Sequence, residues 1–167
     1  MAEPKVSLEL KKMKTLLGYL KNGLPKVKVG IIGSKGAVQR ATESGETLTN
    51  AQIGFIQEFG RLQGKPRIPA RSFIVMPLKL YFGDFLKDRK SITKEEFEKA
   101  IRSGKADKFA QKLGIIAEEV IQTAFETEGF GNWDPNSPVT VAKKGSSKPL
   151  IDTGELRRSI SSEVIKK

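Results

Sequence analysis

The sequence predicts an α+β fold in a single domain of 167 residues: a small antiparallel sheet packed against one long helix, with additional short helices and long mobile loops. Three observations predict it. Apolar residues recur at helical spacing over residues 106–127, more than any other stretch sustains. Alternating or β-branched runs lie near the two ends, at residues 27–32 and 160–165. Between them, capping residues, glycines and prolines break the chain into short pieces. One domain per roughly 150 residues suits this length, and such a chain buries about two thirds of its unfolded surface.

Each element follows from local signals. Val6, Leu10, Met13, Leu17 and Leu20 recur at helical spacing with lysines between them, which predicts an amphipathic helix within residues 1–24. Asn22 and Gly23 stop it, with Pro25 beyond. Residues 27–32 alternate and then turn continuously apolar, as a strand does. Residues 33–48, rich in Gly, Ser, Thr and charge, read as a flexible, long hairpin-like loop or mobile arm. Thr49 with Gln52 is a capping box for a short helix through Phe59, closed by Gly60. Pro66 and Pro69 hold the next segment extended, because each disfavours helix in its predecessor. Phe73, Ile74 and Val75 read as a short strand, with Pro77 opening a helix that runs to about Lys87.

Thr93 with Glu96 is a second capping box, for a helix ending by Gly104. The long helix sets Phe109, Leu113, Ile116, Ala117, Val120 and Ala124 on one face over about 30 Å, and Gly129 stops it. Gly114 costs it about 1 kcal/mol against alanine and permits close approach of a neighbour. Residues 130–148 read as a second flexible loop. Asp152 or Thr153 caps a single turn through Arg158, and residues 160–165 form the last strand.

Composition narrows the chemistry. Cysteine and histidine are absent, which removes disulfides, thiolate or imidazole metal sites, and Cys or His catalysis. No calcium-loop spacing is present, so the expectation is no metal and no cofactor. The first residues lack a basic segment followed by an apolar run, and the densest apolar run, residues 73–78, is too short to span a bilayer. The expectation is a soluble protein made in a cytoplasm, with no membrane contact. Net charge is +11, concentrated in a lysine-rich stretch over residues 5–28 and a basic tail from Lys143. Nucleic acid, an acidic protein surface and plain solubility all suit such a charge. No DNA-docking motif is recognisable, and lysine outnumbers arginine in the first cluster, which favours a solvated face.

Candidate catalytic groups reduce to ordinary structure. Gly30, Gly33 and Gly36 follow a strand, but their spacing matches no phosphate loop, so turn glycines explain them. Asp84, Asp88, Glu95, Glu96 and Glu98 fit a solvated helix face. The serines have no histidine to activate them, and no lysine pairs with one in a recognisable motif. No catalytic residue is expected, and the chain reads as a non-enzyme. Trp133, the single tryptophan, suits either an anchor that tucks its loop onto the core or an interface hot spot. Arg61, Arg67 and Arg71 suit carboxylates and carbonyls at an interface, or else an ordinary solvated loop.

At these residues the chain resembles a known group. Glu58-Phe59-Gly60, a polar gap, and Ile68-Pro69-Ala70-Arg71-Ser72-Phe73 look like the motif of tail-completion and neck proteins of long-tailed bacteriophages, a group that includes minor tail components and virion morphogenesis factors. Trp133-Asp134-Pro135, Thr140 with Lys143 and Lys144, and the run Leu150-Ile151-Asp152-Thr153-Gly154-Glu155-Leu156 followed by Arg157-Arg158-Ser159-Ile160 continue the resemblance in the same order. It covers the chain from about residue 49 onward. Ser72 stands where the group often has proline, Pro77 falls one residue late, and residues 81–104 look like a helical insertion.

The resemblance implies a structural virion protein, a ring-forming subunit at the head–tail junction or the head-proximal end of the tail. Its implied partners are copies of itself in a homo-oligomeric ring, a hexamer, together with neighbouring connector, neck, tail-tube or tail-terminator proteins. Non-specific contact with DNA in the channel also follows. Phe59, Arg61, Arg67, Pro69, Arg71, Phe73, Trp133, Asp152, Thr153, Leu156 and Arg157 are the expected protein–protein interface. The competing readings are a basic nucleic-acid-binding module and a carboxylate-and-metal hydrolase.

Overall fold

The computed structural model describes residues 5–41, 45–61, 67–90 and 92–165. Among them the elements run α1 (Lys5–Asn22), β1 (Lys26–Ile31), α2 (Gly33–Ala37), β2 (Gln39–Ala41), β3 (Thr47–Thr49), α3 (Asn50–Phe59), α4 (Val75–Lys87), α5 (Lys94–Arg102), α6 (Ala106–Glu126), α7 (Pro138–Lys144), α8 (Glu155–Arg158) and β4 (Ile160–Ile165). The class is α+β, as the sequence predicts. β1 and β4 pair antiparallel, from Lys26 opposite Ile165 to Ile31 opposite Ile160, so segments far apart in the chain close one sheet.

The long helix α6 lies across that pair and is covered on its other side by α4. Its buried arc is therefore wider than the predicted face: Ile121 and Phe125 are fully buried beside Val120 and Ala124, while Phe109 and Leu113 are only half-buried. Gly114 is where the helix meets the sheet. A Cβ there would lie 2.5 Å from Ser162 Oγ and 3.2 Å from Val27 Cγ1. The core is Phe73, Ile121, Phe125, Leu156 and Ile160, with Phe73 and Phe125 rings 5.2 Å apart.

Several expectations are corrected. Residues 33–48 hold the helix α2, which was not expected, while the hairpin-like shape expected there is present as the pairing of β2 with β3. Asn50 holds this region to α3: its Nδ2 donates to Lys35 O at 3.0 Å, and its backbone N–H donates to Val38 O at 2.9 Å. Residues 130–148 contain α7, capped by the Ser137 hydroxyl, begun by Pro138 and closed by the left-handed Gly145. Residues 73–75 are not a strand. Their backbone N–H groups face the Glu58 carboxylate, and the chain enters α4 at Val75 with Pro77 inside the first turn. The sheet across α6 consequently has no strands other than β1 and β4 among the described residues.

The turn α8 starts from Gly154, not from Asp152 or Thr153; Thr153 Oγ1 accepts only a long 3.4 Å bond from Glu155 N. The Val6 and Leu20 side chains of the predicted first face, and Pro66 in the extended segment, lie outside the described residues.

Candidate functional site

The segment from Glu58 to Phe73 folds around one carboxylate. Glu58 lies in the last turn of α3 and is 5% exposed. It accepts bonds from Ser72 Oγ at 2.5 Å, Phe73 N at 2.8 Å, Ile74 N at 2.9 Å and Val75 N at 3.0 Å. Those amides open α4, whose N-terminus carries unsatisfied donors and positive dipole charge. A carboxylate from another helix thus caps α4. Ser72 Oγ extends the cap by accepting from Met76 N at 2.9 Å. Between the two halves of the motif, Gly60 turns with φ +76, and a Cβ there would meet Ala70 N at 2.8 Å and Ile68 O at 2.9 Å. Arg61 and Ile68 then close the segment by paired backbone bonds of 2.8 and 3.0 Å.

Arg71 ties this unit to the Trp133 loop. Its Nε donates to Asp134 O at 2.8 Å and its Nη2 to Pro135 O at 3.0 Å. Trp133 Nε1 donates to Ser72 O at 3.0 Å, and the indole meets Phe125 edge-on at 5.9 Å. Gly129 leaves room for that indole, since a Cβ there would overlap the ring. Arg71 as a residue is 7% exposed, and burial holds the pKa of its guanidinium below the usual value, with Asp134 opposing the shift. The third segment joins through Arg40 of β2, which pairs with Glu155 at 2.8 Å and reaches Thr153 Oγ1 at 3.5 Å.

These contacts surround an open cleft of about 690 Å³. Of the residues expected at an interface, Arg67, Pro69, Arg71, Asp152 and Leu156 line it together, and Thr153 is tied to Arg40 beside it. Ile53, Leu150 and Leu156 give the cleft apolar wall, and Lys144 adds a further cation. Lys144 Nζ donates to Lys148 O at 3.2 Å; burial lowers its pKa, Asp152 raises it and Arg71 lowers it.

The other expected residues separate. Phe59 stays on the outer face of α3, 57% exposed, with its ring 4.9 Å from that of Phe55, which is 65% exposed. Arg61 is held in the backbone bridge to Ile68. Phe73 is fully buried, and its apolar ring completes the core beneath this segment. Trp133 is an anchor that tucks its loop onto that core. Arg157 is committed to α6, where its Nε donates to Gln122 Oε1 at 2.6 Å and its Nη2 contacts Glu126.

Two residues outside the expected set matter most to the geometry, Glu58 and Arg40. Glu58 carried a signal, because an acid in a helix's last turn opposes that helix's dipole and calls for a partner elsewhere. Arg40 carried none. Among the described residues no cluster of metal-ligating side chains occurs, and no helix is long and apolar enough to cross a membrane. Compared with known protein families, with curated proteins and with solved structures, the chain matches none.

Proposed function

We propose that this chain is a structural protein of a tailed-phage virion, a non-enzymatic subunit that assembles into a homo-oligomeric ring and completes the tail or neck. Two kinds of support carry the reading. The ordered motifs shared with that group include the residues that position one cleft and its supporting contacts, so they mark a single built region of the fold. The observation of greatest weight is apolar surface left in water. Phe55 and Phe59 form an exposed aromatic pair on α3, and Leu10, Met13 and Leu17 are each more than half exposed on α1. Large contiguous apolar surface marks association sites, and aromatic rings are among the strongest anchors there.

Covering one phenylalanine ring contributes about 1.5–3 kcal/mol. A repeated contact around a ring therefore has enough driving force in the Phe55–Phe59 pair to matter. The test is the double substitution Phe55→Asp with Phe59→Asp. It leaves the melting temperature within a few degrees, since neither ring belongs to the core, but abolishes rings in sedimentation velocity and negative-stain images. In infected cells it leaves heads and tails unjoined. A wild-type protein that stays monomeric at every concentration and is missing from purified particles overturns the reading.

A further inference from the structure

The cleft has an electrostatic imbalance. Among the described residues, Arg40, Arg67, Arg71 and Lys144 line it against one acid, Asp152. Arg40 has Glu155 at 2.8 Å, but the others have no ion pair among the described residues. Arg67 is exposed and makes no hydrogen bond there. Arg71 spends two donors on the neutral carbonyls of Asp134 and Pro135, and its Nη1 donates to no described residue. Lys144 bonds only the carbonyl of Lys148. Arg71 is buried and Lys144 half-buried, and each is bonded to carbonyls that desolvate without neutralising it, so an anion beside them gains from both, with the exposed Arg67 at the rim. Burial lowers the pKa of both groups; Asp134 opposes the shift at Arg71, while at Lys144 Asp152 opposes it and Arg71 adds to it.

We propose that this cleft binds an acidic segment of a partner protein, with a carboxylate between Arg67, Arg71 and Lys144 and a neighbouring apolar side chain on Ile53, Leu150 and Leu156. This rests on the reading of the chain as an assembly subunit and names what its cleft receives. The occupant is a peptide and not a nucleic acid for two reasons. No aromatic side chain lines the cleft, whereas single strands bind by stacking their bases on aromatics. Duplex DNA offers a broad convex row of phosphates, which a concave, partly apolar pocket of about 690 Å³ cannot follow. That volume is typical of a pocket enclosing a small ligand or a few side chains. A second copy is not the occupant, because the contact between copies is assigned to Phe55 and Phe59 on the outer face of α3, and neither lines the cleft.

The probe is a blocked, fluorescein-labelled peptide of alternating leucine and glutamate, titrated against the full chain by anisotropy. A peptide with glutamine in place of glutamate and an unlabelled DNA duplex serve as comparisons. Saturable binding of the glutamate peptide is expected, with the glutamine peptide at least about tenfold weaker, since each lost charge-assisted bond is worth about one such factor. Arg67→Ala and Lys144→Met each weaken binding about tenfold, while Lys79→Met on α4 changes nothing. Both cleft variants keep the wild-type melting temperature.

Equal binding of the two peptides, equal loss with Lys79→Met, absence of saturation, or Lys144-dependent displacement by the duplex each overturns the proposal. Sedimentation velocity on the same samples separates the two readings. Rings without peptide binding remove only the acidic occupant, whereas peptide binding by a protein that never forms rings removes the ring assembly.

Discussion

Glu58 is placed where its own helix repels it, at the carbonyl end of α3, and where the next helix needs it, at the amide end of α4. Three backbone donors and one hydroxyl converge on its two oxygens. The carboxylate therefore links the two helices by four hydrogen bonds. Glu58→Ala strands those amides in a part-buried site, and each unmet donor costs about 1–3 kcal/mol. The expected loss is about 3 kcal/mol or more by urea unfolding. Glu58→Gln keeps one acceptor oxygen but turns an NH₂ toward N–H donors, and should lose about 2 kcal/mol. Equal stability of wild type and Glu58→Ala would show that α4 is capped by water instead. Ser72 belongs to the same unit: its hydroxyl gives Met76 N a partner and donates to Glu58.

At the scale of elements, local signals were legible and long-range ones were not. The Thr49 capping box is complete, with Thr49 Oγ1 accepting from Gln52 N and Gln52 Oε1 accepting from Thr49 N. Thr93 likewise caps α5. Both need only four consecutive residues. The β2–β3 hairpin depends instead on Asn50 reaching back to Lys35 and on Arg40 reaching Glu155, contacts that no window of sequence displays. The α4 start was misread for the same reason, because its cap comes from Glu58. Of the cleft, Arg67, Pro69, Arg71, Asp152 and Leu156 were legible through their motifs, while Arg40 was invisible.

Gly114 tests the central packing of elements. Alanine would favour the helix by about 1 kcal/mol. Its Cβ, however, would approach the Ser162 Cβ at 3.0 Å and Val27 Cγ1 at 3.2 Å, and overpacking costs about 1–3 kcal/mol. The clash should win narrowly. Gly114→Ala is expected to lower the melting temperature by a few degrees, and Ser162→Gly in the same chain to relieve more strain than it causes in wild type. A higher melting temperature for Gly114→Ala alone would mean that α6 has room to lift from the sheet.

The whole molecule joins two parts of unequal commitment to the core. β1 and β4 bring Lys26 opposite Ile165, and Ile160 of β4 belongs to the central cluster, so the sheet is completed by the last described strand. Helix α1 is different. It packs against α5 while Leu10, Met13 and Leu17 stay exposed, and none of its described side chains enters the core. Removing residues 1–22 should therefore leave a cooperative thermal transition close to that of the full chain. Removing residues 160–167 takes away one strand of a two-stranded sheet, and an unpaired strand with a bared helix face is not expected to stay folded. If α1 serves assembly, the shortened chain should also sediment as a smaller species than the full chain at equal concentration. A shortened chain that unfolds would make α1 part of the fold; one that folds and still forms full rings would leave the α1 stripe with no role in assembly and return the contact to Phe55 and Phe59.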